Sequence, residues 1–222
     1  MTVENAKIRA IYRYPVKGLS PEPLARTTLA VHDTLPADRL YAIENGPSGF
    51  DPAAPRHQPK QRYLMLMRNE RLAQLRTRFD DSSHTLTVEA QGREVARGDL
   101  RTPAGRAAIE RFFAVFCADE LRGAPKVLHA PGFSFSDVAR KVVSIINLAS
   151  VAAVEGAVGR PVHPLRFRGN VYVTGWTAWH EFDLVGREIA DTLIRSFGHA
   201  DCGVYAEVVE GGDIALGDDL GT

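Results

Sequence analysis

Two cysteines, Cys117 and Cys202, are all that 222 residues supply. That excludes a disulfide framework, and the pair lacks the CxxC spacing of a structural zinc site. Net charge is missing too. Lys plus Arg and Asp plus Glu each number 27, so no overall field draws nucleic acid or an acidic membrane from a distance. The longest apolar run, near Val142 to Val154, is broken by Ser144, Asn147 and Ser150, which leaves no candidate membrane span. The opening MTVENAKIRA is polar, and a soluble protein of the cytoplasm is expected. No G-x-G-x-x-G, Walker A, G-x-S-x-G, HExxH or EF-hand spacing occurs. The commonest nucleotide, hydrolase and zinc-protease readings fall with them.

What is present is ordinary globular composition, 45% apolar and 24% charged, with enough chain for one large or two small domains. Alternation and turn residues predict strands over residues 7–14, 24–31, 39–44, 63–67, 72–79 and 85–89. The Gly- and Pro-rich stretch 45–60 predicts a long surface loop. Pro103 to Ala118 predicts a helix, with Thr102 placed to cap it and Ile109, Phe112, Phe113 and Phe116 forming its apolar stripe. Strands at 126–130 and 142–146 follow, then a helix from Leu148 to Val158 that Asn147 caps and Gly159 ends. Further strands are expected at 184–190 and 204–209, with a helical turn at 191–197 between them. Gly211-Gly212-Asp213 predicts a hairpin into Ile214-Ala215-Leu216. Many short strands in succession point to a barrel or a sandwich.

One stretch carries chemistry on its face. If Arg166-Phe167-Arg168-Gly169-Asn170-Val171-Tyr172-Val173 is extended, Arg166, Arg168 and Asn170 share one side and Phe167, Val171 and Val173 the other. Two guanidiniums two residues apart match the oxygen pairs of phosphate or carboxylate. Arginines snorkelling over the surface or pairing with acidic residues is the plainer reading. Lys17, where a strand gives way to a turn at Gly18, could reach an anion with backbone N–H help. Alone it reads equally as a surface lysine, and Arg39, before a short strand, is as ambiguous. His199, Asp201 and Cys202 form a weak metal or nucleophile cluster, because neighbours in a strand point to opposite faces. Cys117 reads as helix core.

Taken in order, Tyr14-Pro15-Val16-Lys17-Gly18, Asp38-Arg39, Phe133-Ser134-Phe135-Ser136-Asp137, Arg166-Phe167-Arg168-Gly169-Asn170-Val171 and Gly203-Val204-Tyr205-Ala206-Glu207-Val208 with Gly211-Gly212 and Gly217-Asp218 make the chain resemble MOSC-domain proteins. The resemblance runs over nearly the whole length. It implies a mainly β (α+β) fold with peripheral helices, in which a smaller N-terminal β-barrel region, residues 1–120, precedes a MOSC-type β-barrel, residues 121–222. It also implies binding of the molybdenum cofactor (molybdopterin), pyridoxal phosphate binding, and sulfur-carrier or reductive chemistry like that of the reductases of N-hydroxylated compounds. Lys17, Arg39, Arg168 and Asn170 match positions that hold the pterin phosphate or other cofactor groups in those relatives. Ser136 and Asp137 match a loop near the cofactor. Partners so implied are a small-molecule substrate and, since no iron–sulfur cysteine pattern occurs, a separate electron-donor protein. A non-catalytic barrel that binds a phosphorylated small molecule or pterin is the alternative.

One departure stands out. Relatives of this kind usually carry, between the equivalents of Ile189 and Ser196, a strand and a cysteine that ligates molybdenum. Here Ile189-Ala190 runs straight into Asp191-Thr192. Either a segment is missing between Ala190 and Asp191, or the protein lacks its thiolate ligand.

Overall fold

A computed structural model describes residues 5–184 and 202–220. The expected elements at 184–190 and 191–197, the Ala190–Asp191 junction, His199 and Asp201 lie outside the described residues, Leu184 excepted. The elements run β1 (Ala6–Arg13), β2 (Glu22–Leu24), β3 (Arg26–Leu29), β4 (Ala42–Ile43), β5 (Leu75–Asp80), β6 (Thr85–Ala90), β7 (Arg93–Asp99), α1 (Pro103–Phe116) and β8 (Val127–Leu128). Then follow β9 (Val143–Asn147), α2 (Leu148–Val158), β10 (Val171–Thr174), α3 (His180–Leu184), β11 (Val204–Ala206), β12 (Gly212–Ala215) and β13 (Asp219–Leu220). The protein is mainly β with few helices, and the described strands lie in open sheets. They divide into two compact units, one of residues 5–13, 23–36, 141–184 and 202–220, the other of residues 14–22 and 37–140.

In the first unit a sheet of order β11-β9-β10-β1-β13 forms the frame, with β2 also paired to β1. β10 lies parallel to β9 and antiparallel to β1, a connection that needs the crossover supplied by α2. All of Val171, Tyr172 and Val173 are buried, because the sheet is covered on both faces. Val171 and Val173 join Ala6, Ile8, Ile11, Leu35, Val143 and Trp176. Tyr172 points the other way, to Ile146, Val151 and Cys202. α2 is capped as its sequence predicts: Asn147 accepts from the Ala149 N–H, and Gly159 takes the left-handed conformation at its end.

The second unit is built on the meander β5-β6-β7 with the pair β4-β8. Leu75, Phe79, Leu86 and Val88 pack with Ile109 and Phe113 of α1 and with Cys117 at its C-terminal end. The Thr102 hydroxyl caps α1 by accepting from Gly105 N–H at 3.0 Å. Helix and sheet meet at two glycines: a Cβ on Gly98 would lie 2.2 Å from the Gly105 carbonyl oxygen, and one on Gly105 2.1 Å from that of Asp99. Neither position accommodates a side chain.

Several expectations change. Residues 166–173 are not one strand: Pro164–Phe167 is a 3₁₀ turn, Arg168 ends it at φ 52°, and extended structure starts only at Val171. Pro164 presets the turn and the His163 ring accepts from the Leu165 N–H, so Arg166 and Arg168 share no strand face. Residues 63–67 hold only a fragment of the expected strand: Tyr63 bridges Glu44 antiparallel, and the turn follows at 66–68, where the buried Asn69 carboxamide accepts the Met65 N–H while the Asn69 and Arg68 N–H groups bond the Met65 carbonyl. The stretch 24–31 divides between β2, on β1, and β3, on β12. β12 therefore forms no hairpin with the strand before it, and Gly212 to Ala215 pair instead with Leu29 to Arg26. β7 was not expected, because its outward residues are mostly charged and its inner ones are Ala96 and Gly98.

Candidate anion site

Pro15 has no N–H and ends β1. The chain then runs beside residues 39–41: Arg39 N–H bonds Tyr14 O at 2.8 Å, Tyr41 N–H bonds Pro15 O at 3.0 Å, and Lys17 N–H bonds Tyr41 O at 2.8 Å. Gly18 follows at φ 82°, and a Cβ there would sit 2.4 Å from the Leu64 carbonyl oxygen. That turn aims Lys17 inward. Its side chain is 7% exposed, and the ammonium donates to Phe135 O at 2.7 Å and pairs with the Asp137 carboxylate. It also lies 5.8 Å from the centre of the Tyr63 ring.

The loop that brings Asp137 is held by its aromatic residues. Phe135 N–H bonds Arg39 O at 2.8 Å, and the Phe135 ring packs against Phe50, Phe133 and Tyr63 at 5.0–5.5 Å. The Ser134 hydroxyl donates to Asp38 O at 3.2 Å, and the Ser136 hydroxyl turns back to Val138 O. Arg39 forms an ion pair with Asp38 and lies 4.4 Å over the Tyr14 ring. Asp38 is fixed in turn by the Tyr14 N–H at 2.8 Å. Lys17, Arg39, Ser136 and Asp137 thus belong to one unit and one cluster. Asp38, Tyr14 and Phe135, which stand in the same motifs, complete it as structural neighbours, and so does Tyr63, which no motif includes.

The electrostatics follow from these pairings. Burial alone raises the Asp137 carboxyl, but Lys17, with Lys60 and Arg39 further off, outweighs it and holds the group below its usual range. Burial likewise works against the Arg39 charge, and Asp38 more than restores it. Burial, helped by Glu44, pushes the Tyr63 phenol up to about 12, so it stays neutral. The arrangement is two buried or half-buried cations, each paired with one carboxylate, with a phenol ring alongside. It can hold an anion by exchange.

The protein-family model described as MOSC N-terminal beta barrel domain matches residues 5–120, more than half of the chain. The chain belongs to the MOSC family. No curated protein matches it.

The other MOSC positions expected to touch a cofactor lie in the first unit. Asn170 is buried and its carboxamide is committed to the sheet: Nδ2 donates to Tyr12 O at 3.1 Å, while Oδ1 accepts from Ser144 N–H at 3.1 Å and Ser144 Oγ at 2.9 Å. Arg168 is half-buried and Arg166 exposed. Neither thiol of this MOSC protein is placed to bind a metal. Cys117 is buried in the core of its unit and burial pushes it up to about 11. Cys202 packs against Ile146, Val151 and Tyr172, and burial, with Glu181 adding to it, pushes it up to about 12. Among the described residues no group of three or more His, Cys, Asp or Glu could hold a metal ion. The cationic cluster therefore fits the anionic part of the family's cofactor, and the sulfur donors do not fit a thiolate-bound metal. Among the described residues no helix is long and apolar enough to cross a membrane.

Proposed function

We propose that this MOSC protein binds the molybdenum cofactor, or a phosphorylated pterin or similar small molecule, through the cluster of Lys17 and Arg39. The observation that carries this reading is the buried Lys17 ammonium, turned inward by Gly18 onto the 133–137 loop, within a chain that belongs to a family associated with that cofactor. A buried ammonium paired with a half-exposed carboxylate is built to trade one anion for another. Arg168 is proposed as a further contact on the strength of the resemblance alone. The division into an N-terminal β-barrel region, 1–120, and a MOSC domain, 121–222, belongs to the same proposal.

The redox part of the family's chemistry, two-electron reduction of N-oxygenated or similar small molecules by bound molybdenum fed by a separate electron-donor protein, would need a metal ligand that neither Cys117 nor Cys202 is placed to supply. The chain's own residues contribute binding and charge: Lys17 and Arg39 hold the phosphate, Asp38 orients Arg39, and the aromatic rings around Phe135 fix the loop. A second reading, a non-catalytic barrel for a phosphorylated small molecule, is favoured by the burial and raised pKa of both thiols.

Purification from a host that makes the cofactor tests both. Pterin released on denaturation, together with stoichiometric molybdenum that survives gel filtration, is the result expected of the redox protein. Pterin without molybdenum selects the binding module. No pterin in the wild type, or equal pterin in wild type and Lys17→Met, overturns the assignment of the site.

A further inference from the structure

Two carboxylates serve the cations of the cluster, and their settings differ. Asp38 is locked: its side chain is 2% exposed, and one oxygen takes the Tyr14 N–H while the other takes Arg39. Asp137 has no such anchor among the described residues, and its carboxylate bonds the Lys17 ammonium. Its side chain is 52% exposed, whereas that of its partner Lys17 is 7% exposed. The cation is thus buried and the anion sits on the solvent side of it. Lys60 and Arg39 also bear on the same carboxylate. With Lys17, Arg39 and Lys60 against Asp38 and Asp137 the cluster carries one net positive charge, and two once the Asp137 carboxylate leaves.

We propose that Asp137 is a built-in placeholder for the ligand's anion, an autoinhibitory contact that a phosphate must displace from Lys17 before it can bind. This rests on the anion-binding reading above and adds a role for Asp137 opposite to that of a cofactor contact. A carboxylate ligand merely replaces one single charge by another and gains little. A phosphate dianion meets a cluster whose charge, without Asp137, matches its own. The side chain therefore sets a threshold that keeps ordinary carboxylates out of the site. The short, locked Asp38–Arg39 pair, by contrast, stays in place and only orients the guanidinium.

The test is calorimetric titration of inorganic phosphate and of acetate at pH 7.5 into the full chain as wild type, Asp137→Asn, Asp137→Ser and Lys17→Met, with thermal unfolding run on each. The two Asp137 variants are expected to bind phosphate about tenfold more tightly than wild type, the gain from freeing a charged hydrogen bond. Acetate, without measurable binding to wild type, should bind both variants, and Lys17→Met should lose phosphate. Binding detected only in the Asp137 variants supports the placeholder as well. If Lys17→Met loses phosphate while both Asp137 variants bind it no tighter than wild type, the placeholder is overturned and the anion site stands. If Lys17→Met binds as wild type does, or no protein binds phosphate, the anion site itself is overturned.

Discussion

Replacing Asn170 by alanine separates a structural from a ligand-binding asparagine. The carboxamide makes three hydrogen bonds, to Tyr12 O at 3.1 Å, from Ser144 N–H at 3.1 Å and from Ser144 Oγ at 2.9 Å, and so ties β1 to β9 just ahead of β10. Each such bond contributes about 1 kcal/mol net, and leaving buried partners unsatisfied raises the cost, so Asn170→Ala should lose about 3 kcal/mol of stability. Ser144→Ala removes only the hydroxyl bond to Oδ1 and the one accepted from Asn170 N–H at 3.0 Å, for about 1 kcal/mol. Because the two residues share a bond, the double mutant should fall short of additivity by roughly 1 kcal/mol. Urea unfolding followed by fluorescence reads this directly, since Trp176 is buried in the same unit. Asn170→Ala within about 0.5 kcal/mol of wild type, coupled with lost ligand, would refute the structural role and restore Asn170 as a cofactor contact.

Gly18→Ala must adopt φ 82° with its Cβ 2.4 Å from the Leu64 carbonyl oxygen. The conformation alone costs about 1–2 kcal/mol, and the contact forces the main chain to move. A drop in melting temperature with loss of phosphate binding is expected, and an unchanged melt contradicts the geometry. The thiols give a pH test. Folding raises Cys117 to about 11 and Cys202 to about 12, above the unfolded value of about 8.5. The stability tied to the neutral thiols is therefore full below about pH 8.5 and is lost as pH rises toward those folded values, at up to about 1.4 kcal/mol per unit for each thiol. Cys→Ser variants should flatten that alkaline slope. In the native wild type neither thiol should react with a disulfide reagent at pH 8, and rapid labelling of either would refute its burial.

The signals that survived into the fold were local ones. Thr102 and Asn147 cap α1 and α2 as their positions predict, because a cap needs only its own turn. β1, β6 and β9 were readable from alternation and apolar runs. Alternation failed where a nearby turn former cut it short, as Asn69 does after Met65 and Pro164 with the left-handed Arg168 do in the cationic stretch, and where a distant strand intervened, as β3 does in pairing with β12. β7 was hidden because a helix covers its inner face through glycines, which leave no apolar alternation to read.

The sequence by itself determined the family, since motifs in register along the chain do not depend on how they pack. It also determined that the chain has two cysteine thiols, and that Lys17 stands where a strand gives way to a turn at Gly18. Only the tertiary structure decided which cations act together. Lys17 and Arg39 are 22 positions apart, and they meet because residues 14–17 run beside 39–41 and the Phe135 loop closes over both. It also set which partner of the Lys17–Asp137 pair is buried and which faces water, the observation on which the proposed part of Asp137 rests, and no local pattern encodes it.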